Sequence, residues 1–313
     1  MQRLVRAQMA ASGGSTALLL ALVAWGCGSG QTDTTTLAVP GRSNANVSLA
    51  AVEDTVAAVW SAAEQGGPTD IYLSISQDGG TSFSPPARVN DAPGDARVNG
   101  EQPPRVALVP RAPGPPEVVV IWTAKGPEGT ALRTARSDDG GRSFARAAVV
   151  PGTDAPGNRG WEAIAVDRAG TVHAVWLDHR RLSQRTSTAE TTHRHGGHHA
   201  PATADGAPMS DFSDLYVATL DGHTPSPLTA GVCYCCKTAI AAAPGGEVYL
   251  AWRHVYPGNL RDIAFAVTSP GRPSPIEPVR VSEDRWMLQG CPTTGRPWPP
   301  MRGGPCTSSG PRS

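Results

Sequence analysis

Short apolar runs that end in tryptophan recur along the chain, each bounded by Gly, Pro or charged residues. Runs of this length, rich in Val, Ile and Ala and flanked by turn-forming residues, are typical of buried β-strands. The runs are residues 54–60 (DTVAAVW), 117–122 (EVVVIW), 171–176 (TVHAVW) and 247–252 (EVYLAW). A partner strand is predicted just upstream of each, over residues 47–52, 105–109, 162–166 and 238–242.

The spacing of these strand pairs predicts the fold. A unit of several strands that recurs at roughly fifty residues is typical of a β-propeller, in which each unit forms one four-stranded blade. The 35 Gly and 30 Pro suit the many turns of such a fold. The 313 residues carry zero formal net charge, which argues against a nucleic-acid partner because such a partner requires a basic surface.

One turn motif appears after the third predicted strand of the first two units, as residues 76–83 (SQDGGTSF) and 137–144 (SDDGGRSF). Its aspartate can accept hydrogen bonds from turn amides, its second glycine permits positive φ, and its aromatic ring can pack between blades. We expect a structural role, without catalysis, for its eight key positions, which are Ser76, Asp78, Gly80, Phe83, Ser137, Asp139, Gly141 and Phe144.

Both octapeptides match the Asp box of the sialidase and BNR-repeat families. Over residues 45–295 the chain resembles a bacterial branch of exo-α-sialidase-like proteins, in the segments 160–162 (GWE), 176–180 (WLDHR), 233–238 (CYCCKT), 252–263 (WRHVYPGNLRDI) and 290–292 (GCP). The resemblance implies an all-β, sialidase-type six-bladed propeller, incomplete in this chain, with about four blades and the start of a fifth.

Unusual residues gather in the connections on one side of the predicted propeller. If the strands of a blade are labelled a to d outward from the centre, the b–c and d–a connections lie opposite the Asp boxes. The segments 154–162, 178–181, 233–236, 253–262 and 282–295 all belong to these connections. By resemblance this is the face on which sialidase-fold enzymes bind sugar, and the charged segments favour a site over blades three and four.

Candidate catalytic residues lie in these segments. Arg180, Arg253 and Arg261 can clamp a carboxylate through paired hydrogen bonds. Asp178 and Glu162, with Asp262, are candidate proton carriers. Resemblance to sialidases, which use a tyrosine activated by a glutamate, makes Tyr256 the candidate nucleophile. The alternative is that these arginines and acids form ion pairs between blades.

Cysteine and histidine clusters supply a second kind of chemistry. In an exported protein the default for Cys233, Cys235, Cys236 and Cys291 is disulfide bonding. Because a vicinal Cys235–Cys236 bridge is strained, one of these two is expected to reach Cys291. The alternative is a transition-metal site with thiolate ligands. A further metal site is open at His193, His195, His198 and His199, in an insertion spanning residues 182–211; the alternative there is a mobile loop.

The two ends of the chain are predicted to lie outside the propeller. Residues 1–26 have the charged start and apolar run of an export signal, and residues 24–27 (AWGC) resemble a lipobox that makes Cys27 the lipidated first residue. Residues 27–44 are predicted to be a flexible tether. Residues 296–313 show no strand pattern, but in another reading frame they can encode a strand a, turn and strand b like residues 163–176. We interpret this as a frameshift near Gly295.

The function predicted from these features is that of an exported lipoprotein, in the periplasm or at the cell surface, anchored to the membrane only by lipid. The recognisable Arg-Ile-Pro motif of sialidases is missing, as is the last blade, which supplies the nucleophile in that family. The favoured function is therefore a non-catalytic propeller that binds a glycan or another small anionic ligand. The alternatives are a sialidase-like hydrolase acting on terminal sialic acids and a metal-binding propeller.

Overall fold

The computed structural model describes residues 34–186, 207–222, 225–269 and 275–287, and in these ranges the chain is nearly all β. The strands form four antiparallel sheets, each with its four strands side by side in sequence order. The strands of the first two blades are β1 (Ser43–Val52), β2 (Thr55–Ala63), β3 (Thr69–Ser76), β4 (Ala87–Arg88), β5 (Arg105–Val109), β6 (Glu117–Gly126), β7 (Gly129–Ser137) and β8 (Ala148–Val149).

The third and fourth blades repeat this arrangement. Their strands are β9 (Arg159–Val166), β10 (Val172–Asp178), β11 (Asp214–Thr219), β12 (Ser226–Ala230), β13 (Thr238–Ala242), β14 (Val248–Tyr256), β15 (Leu260–Thr268) and β16 (Val279–Arg280). A short helix, α1 (Arg180–Thr186), and a 3-10 turn, Met209–Phe212, lie between β10 and β11. No helix in the described ranges is long and apolar enough to cross a membrane.

The first strands of successive blades are neighbours, because β5 contacts β1 and β9, and β9 contacts β13. Sheets that meet through their first strands in this way are the blades of a propeller. The four blades form an incomplete β-propeller, which confirms the predicted fold class. The strands β5 and β13 have the predicted bounds, and β1 begins at Ser43, two residues before the expected start of the propeller.

Each tryptophan that ends an apolar run occupies the same place in its blade, on the second strand. Trp122 packs in a core between blades one and two, Trp176 in a core between blades two and three, and Trp252 in a core between blades three and four. The Trp122 and Trp176 side chains are fully buried, and Trp252 nearly so. These repeated contacts are the apolar burial that holds each blade against the one before it.

The two Asp-box turns share one hydrogen-bond pattern. In blade one, Ser76 Oγ donates to Asp78 Oδ1 at 2.7 Å, and the Gly80 N–H donates to Ser76 Oγ at 2.8 Å. The hydroxyl of Ser82 donates to Asp78 Oδ2 at 2.6 Å, and this bond is the largest of the effects that lower the pKa of Asp78 to about 2. Blade two repeats these bonds through Ser137, Asp139, Gly141 and Ser143.

The second glycines of the two Asp boxes allow a matched test of packing. Gly80 has a φ of 95° with open space around a built Cβ, whereas Gly141 has a φ of 84° and its Cβ would lie 2.7 Å from Ile75 Cγ1. Gly80→Ala is expected to cost about 1 kcal/mol of unfolding free energy from backbone strain. Gly141→Ala should cost about 2–4 kcal/mol because overpacking is added. Equal losses in urea unfolding would contradict the packing of this turn on blade one.

The decorated segment of blade four differs from its prediction. Residues 253–262 are expected to form a connection, but Arg253 and Tyr256 lie within β14 and Arg261 within β15. The two strands continue to a tight turn, with Tyr256 paired to Leu260, because β-branched and aromatic residues favour the extended conformation. Several predictions fall outside the described residues: those on the export segment with Cys27, the four insertion histidines, Cys291 and the tail beyond residue 295.

Candidate functional site

A cavity of about 510 Å³ opens on the face that carries the b–c and d–a connections, opposite the Asp boxes. Its wall is built from the blade one to two connection, the ends of strands in blades two and three, and the loop before β13. The polar residues of the lining include Arg97, Asn99, Gln102, Thr123, Lys125 and Asn158. Trp161, His179 and Tyr234 supply an aromatic side. A concave site with several polar groups and an aromatic wall is typical of ligand pockets.

A β-bulge places Trp161 in the cavity wall. Gly160 pairs with Leu177 and Ala163 pairs with Val175, so that Trp161 and Glu162 together oppose Trp176. Trp161 has a φ of 57°, a left-handed conformation that is uncommon for a bulky side chain. Bulges of this kind redirect side chains out of a regular strand. In this blade the bulge directs the indole to the cavity and leaves Glu162 buried behind it.

The buried imidazole of His179 lies between two aromatic side chains. Its ring centre is 5.4 Å from that of Trp161 and 6.1 Å from that of Tyr234. Its Nε2 lies 3.1 Å from Ser213 Oγ. Burial lowers the pKa of His179 to about 4, so the ring is neutral near neutral pH. His179 therefore contributes a neutral, fixed surface to the cavity.

Asp178, a predicted proton carrier, is the centre of a buried ion cluster. Its Oδ2 lies 3.2 Å from Arg159 Nε and 2.6 Å from Arg180 Nη2. Burial by itself raises the pKa of Asp178, but the hydrogen bonds from Arg180 and the charge of Arg159 outweigh it and lower the pKa. The rest of the Arg159 guanidinium donates to main-chain carbonyls, including Gly157 O at 2.8 Å. The carboxylate is thus ionised and occupied by two arginines.

Glu162, the second predicted proton carrier, is 1% exposed and lies between blades two and three. Thr123 Oγ1, which lines the cavity, is 2.9 Å from Glu162 Oε2. The other carboxyl oxygen, Oε1, has no hydrogen-bond partner among the described residues. Burial raises the pKa of Glu162 and outweighs the opposing hydrogen bonds and the charge of Arg105. Glu162 is therefore a buried acid with an indirect connection to the cavity.

The predicted residues of blade four form a separate group. Arg253 Nη1 donates to the main-chain oxygen of Arg261 at 2.9 Å, and its guanidinium lies 4.4 Å from the ring centre of Trp286. Arg253 and Trp286 line a second cavity of about 470 Å³. The hydroxyl of Tyr256 is buried without a hydrogen-bond partner among the described residues, and burial raises its pKa. A nucleophile is activated by an adjacent base or by a lowered pKa, and the described residues give the Tyr256 hydroxyl neither a hydrogen-bonded base nor a lowered pKa.

The third predicted clamp residue belongs to another part of the molecule. Arg180 donates to Asp178 and to Gly152 O at 2.7 Å, and its guanidinium lies 4.7 Å from the ring centre of Tyr216. These contacts tie Arg180 to blades two and three, whereas Arg253 contacts blade four. Asp262 is paired in turn with Arg280. These ion pairs join residues of a single blade, Asp178 with Arg159 and Arg180 in blade three and Asp262 with Arg280 in blade four, and so differ from the ion pairs between blades that the sequence left open.

The cysteine cluster precedes β13 and packs against the cavity wall. Cys233 and Cys236 form a disulfide, and the three sulfur atoms, including that of Cys235, lie within 4.8 Å of one another. Trp161 and Tyr234 pack against this cluster. The disulfide uses two of the sulfurs that the thiolate-metal alternative needs as ligands. The bridge closes the short loop that carries Tyr234 to the side of His179.

Comparisons with known proteins give similarity of fold alone. No family model and no curated protein matches the chain. A similar solved structure is the α-L-arabinofuranosidase Arb93A from Fusarium graminearum, at 13% identity and a TM-score of 0.44, covering 72% of this chain and 62% of that one. A Hadza microbial sialidase, Hz136, shares 15% identity at a TM-score of 0.42, covering 71% of this chain and 44% of that one. The chain thus spans less than two thirds of either protein.

An endo-arabinase from Bacteroides thetaiotaomicron is also similar, at 11% identity and a TM-score of 0.41, covering 80% of this chain and 86% of that one.

Sequence reasoning missed much of the cavity lining, including Arg97, Lys125, Gln102 and Thr123. Nothing in their local sequence marks these residues, because the fold brings them together from distant segments of the chain.

Proposed function

We propose that this protein is a non-catalytic propeller that binds an acidic sugar in the 510 Å³ cavity. The observation that carries the proposal is the composition of the lining. In the described ranges the lining offers the cationic side chains of Arg97 and Lys125 with several amides and hydroxyls, but no carboxylate. Glycoside hydrolysis ordinarily needs two carboxyl groups that flank the scissile bond. Binding without hydrolysis accounts for both features.

The cationic groups suit a carboxylate-bearing ligand. Arg97 is exposed, and within the described residues its guanidinium makes no hydrogen bond or ion pair. Lys125 Nζ donates one hydrogen bond, to Gly94 O at 2.7 Å, and an ammonium group has three donors. The amides of Asn99 and Asn158 can bond sugar hydroxyls. The indole of Trp161 offers the apolar face on which a sugar ring can rest.

The three acids that the sequence predicts as proton carriers do not line the cavity, which supports the same proposal. Asp178 is held by two arginines and Asp262 by Arg280. Glu162 reaches the cavity only through Thr123. A general acid must come within hydrogen-bond distance of the proton it transfers. None of these three carboxyl groups belongs to the cavity lining in the described part of the chain.

We also propose that the protein acts outside the cytoplasm as a lipid-anchored surface protein. The proposal rests on the apolar run of residues 17–25 and on the lipobox-like segment that ends at Cys27. The Cys233–Cys236 disulfide is consistent with it, because disulfides persist mainly in oxidising compartments.

The binding proposal is tested with Arg97→Gln. The Kd for methyl α-N-acetylneuraminide, measured by calorimetry on the full chain, is expected to rise about tenfold or more because a charge-assisted hydrogen bond to the carboxylate is lost. The control is Arg142→Gln, which removes an equally exposed arginine from the Asp-box face and should leave the Kd unchanged. Equal affinities in all three proteins would contradict the proposed site. Turnover of a fluorogenic sialoside would favour the hydrolase alternative.

A further inference from the structure

Glu162, Thr123 and Gln102 form a short chain of polar groups that runs from the buried interface of blades two and three to the cavity. Thr123 Oγ1 lies 2.9 Å from Glu162 Oε2 and 3.4 Å from Gln102 Oε1. Thr123 and Gln102 line the cavity, whereas Glu162 is buried. These polar groups therefore connect the buried carboxyl of Glu162 with the side-chain amide of Gln102, which a ligand can contact.

The number of protons available decides which way the hydrogen bonds among Glu162, Thr123 and Gln102 run. A threonine hydroxyl carries one proton, so Thr123 cannot donate to both neighbouring oxygens. If Glu162 is neutral, its O–H donates to Thr123 Oγ1, and the hydroxyl of Thr123 then donates to Gln102 Oε1. If Glu162 is charged, its carboxylate accepts the hydrogen bond of the Thr123 hydroxyl, and Gln102 Oε1 loses its donor. Ionisation would also place negative charge on Oε1 of Glu162, which has no hydrogen-bond partner among the described residues. In a buried site this has a high cost in free energy.

We propose that Glu162 is a neutral acid that, through Thr123, holds the side-chain oxygen of Gln102 and leaves the Gln102 amide N–H groups for an acceptor on the ligand. Glu162 is thus a positioning residue that determines the hydrogen-bond pattern of the cavity. The inference rests on the proposed binding function and extends it. The ligand it selects carries an acceptor oxygen, such as a carboxylate or an acetamido carbonyl, beside its ring.

The charges around Glu162 favour this protonation state. The charged side chain that acts on it is Arg105 of β5, whose Nε donates to the main-chain oxygen of Glu162 at 2.9 Å. The carboxylate of Asp178 on β10 is neutralised by its own arginines. Strands β6 and β13 contribute hydroxyl groups, those of Thr123 and Thr238. Burial outweighs the effect of Arg105 and raises the pKa of Glu162.

The test compares the wild type with Glu162→Gln. Because the pKa of Glu162 is raised, the wild type should keep its affinity for methyl α-N-acetylneuraminide at low pH and lose about threefold to tenfold as pH rises through that pKa. In the variant, the glutamine amide donates to Thr123 at every pH, so the affinity should stay flat. Calorimetry between about pH 5 and about pH 9 covers the range of buried glutamates.

Two further variants make the result decisive. Glu117→Gln changes a buried glutamate at the start of β6, paired with Arg111 and Arg136 away from the cavity, and should keep the wild-type pH profile. Thr123→Val removes the connecting hydroxyl and should flatten the profile even if Glu162→Gln does not fold. Identical pH profiles in the wild type and in the folded variants would overturn the role of Glu162 and leave the binding function intact. Failure of the wild type to bind at any pH would overturn both.

Discussion

Replacing Asp178 by asparagine is expected to lower the free energy of unfolding by about 3–5 kcal/mol, because it leaves a buried positive charge without its partner. Arg159 is 1% exposed and Asp178 is fully buried. Burial lowers the pKa of Arg159, yet a guanidinium stays charged in proteins because its starting value is so high. The asparagine side chain can accept a hydrogen bond but cannot offset this charge. Urea unfolding followed by circular dichroism measures the loss.

A matched substitution separates this effect from the general cost of removing an aspartate. Asp54 is exposed in the turn between β1 and β2, and its side chain makes no hydrogen bond or ion pair within the described residues, so Asp54→Asn should change the free energy of unfolding by less than about 0.5 kcal/mol. A loss of under about 1 kcal/mol for Asp178→Asn would show that Arg159 is satisfied by its carbonyl contacts alone.

Replacing Trp161 by alanine is expected to weaken binding of methyl α-N-acetylneuraminide about thirtyfold, equivalent to about 2 kcal/mol, since buried aromatic anchors carry much of the energy at binding sites. The indole forms the aromatic side of the cavity with His179 and Tyr234. Alanine removes the apolar surface and also lets water reach His179. Calorimetry on the full chain gives the Kd, and Trp161→Phe should recover part of the affinity.

The control for Trp161 is Trp286, which lines the second cavity beside Arg253. Trp286→Ala should leave the Kd unchanged if the ligand occupies the first cavity. The reverse outcome, in which only the loss of Trp286 weakens binding, would move the site to blade four and to the arginines that the sequence favours.

The fold could be predicted from sequence because its determinants are local and repeated. Each apolar run that ends in Trp60, Trp122, Trp176 or Trp252 became the second strand of a blade. The predicted end of the second strand of blade four was wrong, because its side chains suit both strand and turn. Arg253 and Tyr256 were assigned to a connection, although β14 continues to Tyr256. The face of the connections was also predictable, because antiparallel order alone decides which turns share a side.

The candidate site was less predictable because its chemistry depends on contacts between distant segments. Asp178 and Glu162 both follow from their sequence context as candidate acids. Only the packing shows that Asp178 is held by Arg159 and that Glu162 lies behind Thr123. The proposed cavity lies over blades one to three, whereas the sequence favours a site over blades three and four. The disulfide between Cys233 and Cys236 was one of several pairings that the spacing left open.

The cavity wall is shared among blades one, two and three and the loop before β13, and this has a practical consequence. A molecule bound there would contact all of these parts at once. Because the unfolded chain has no such cavity, the molecule would bind only the folded state and stabilise it. At a hundredfold excess over its Kd, such a molecule adds about 2.7 kcal/mol to stability. A melting-temperature screen of a sugar library would therefore serve as a direct search for the natural occupant.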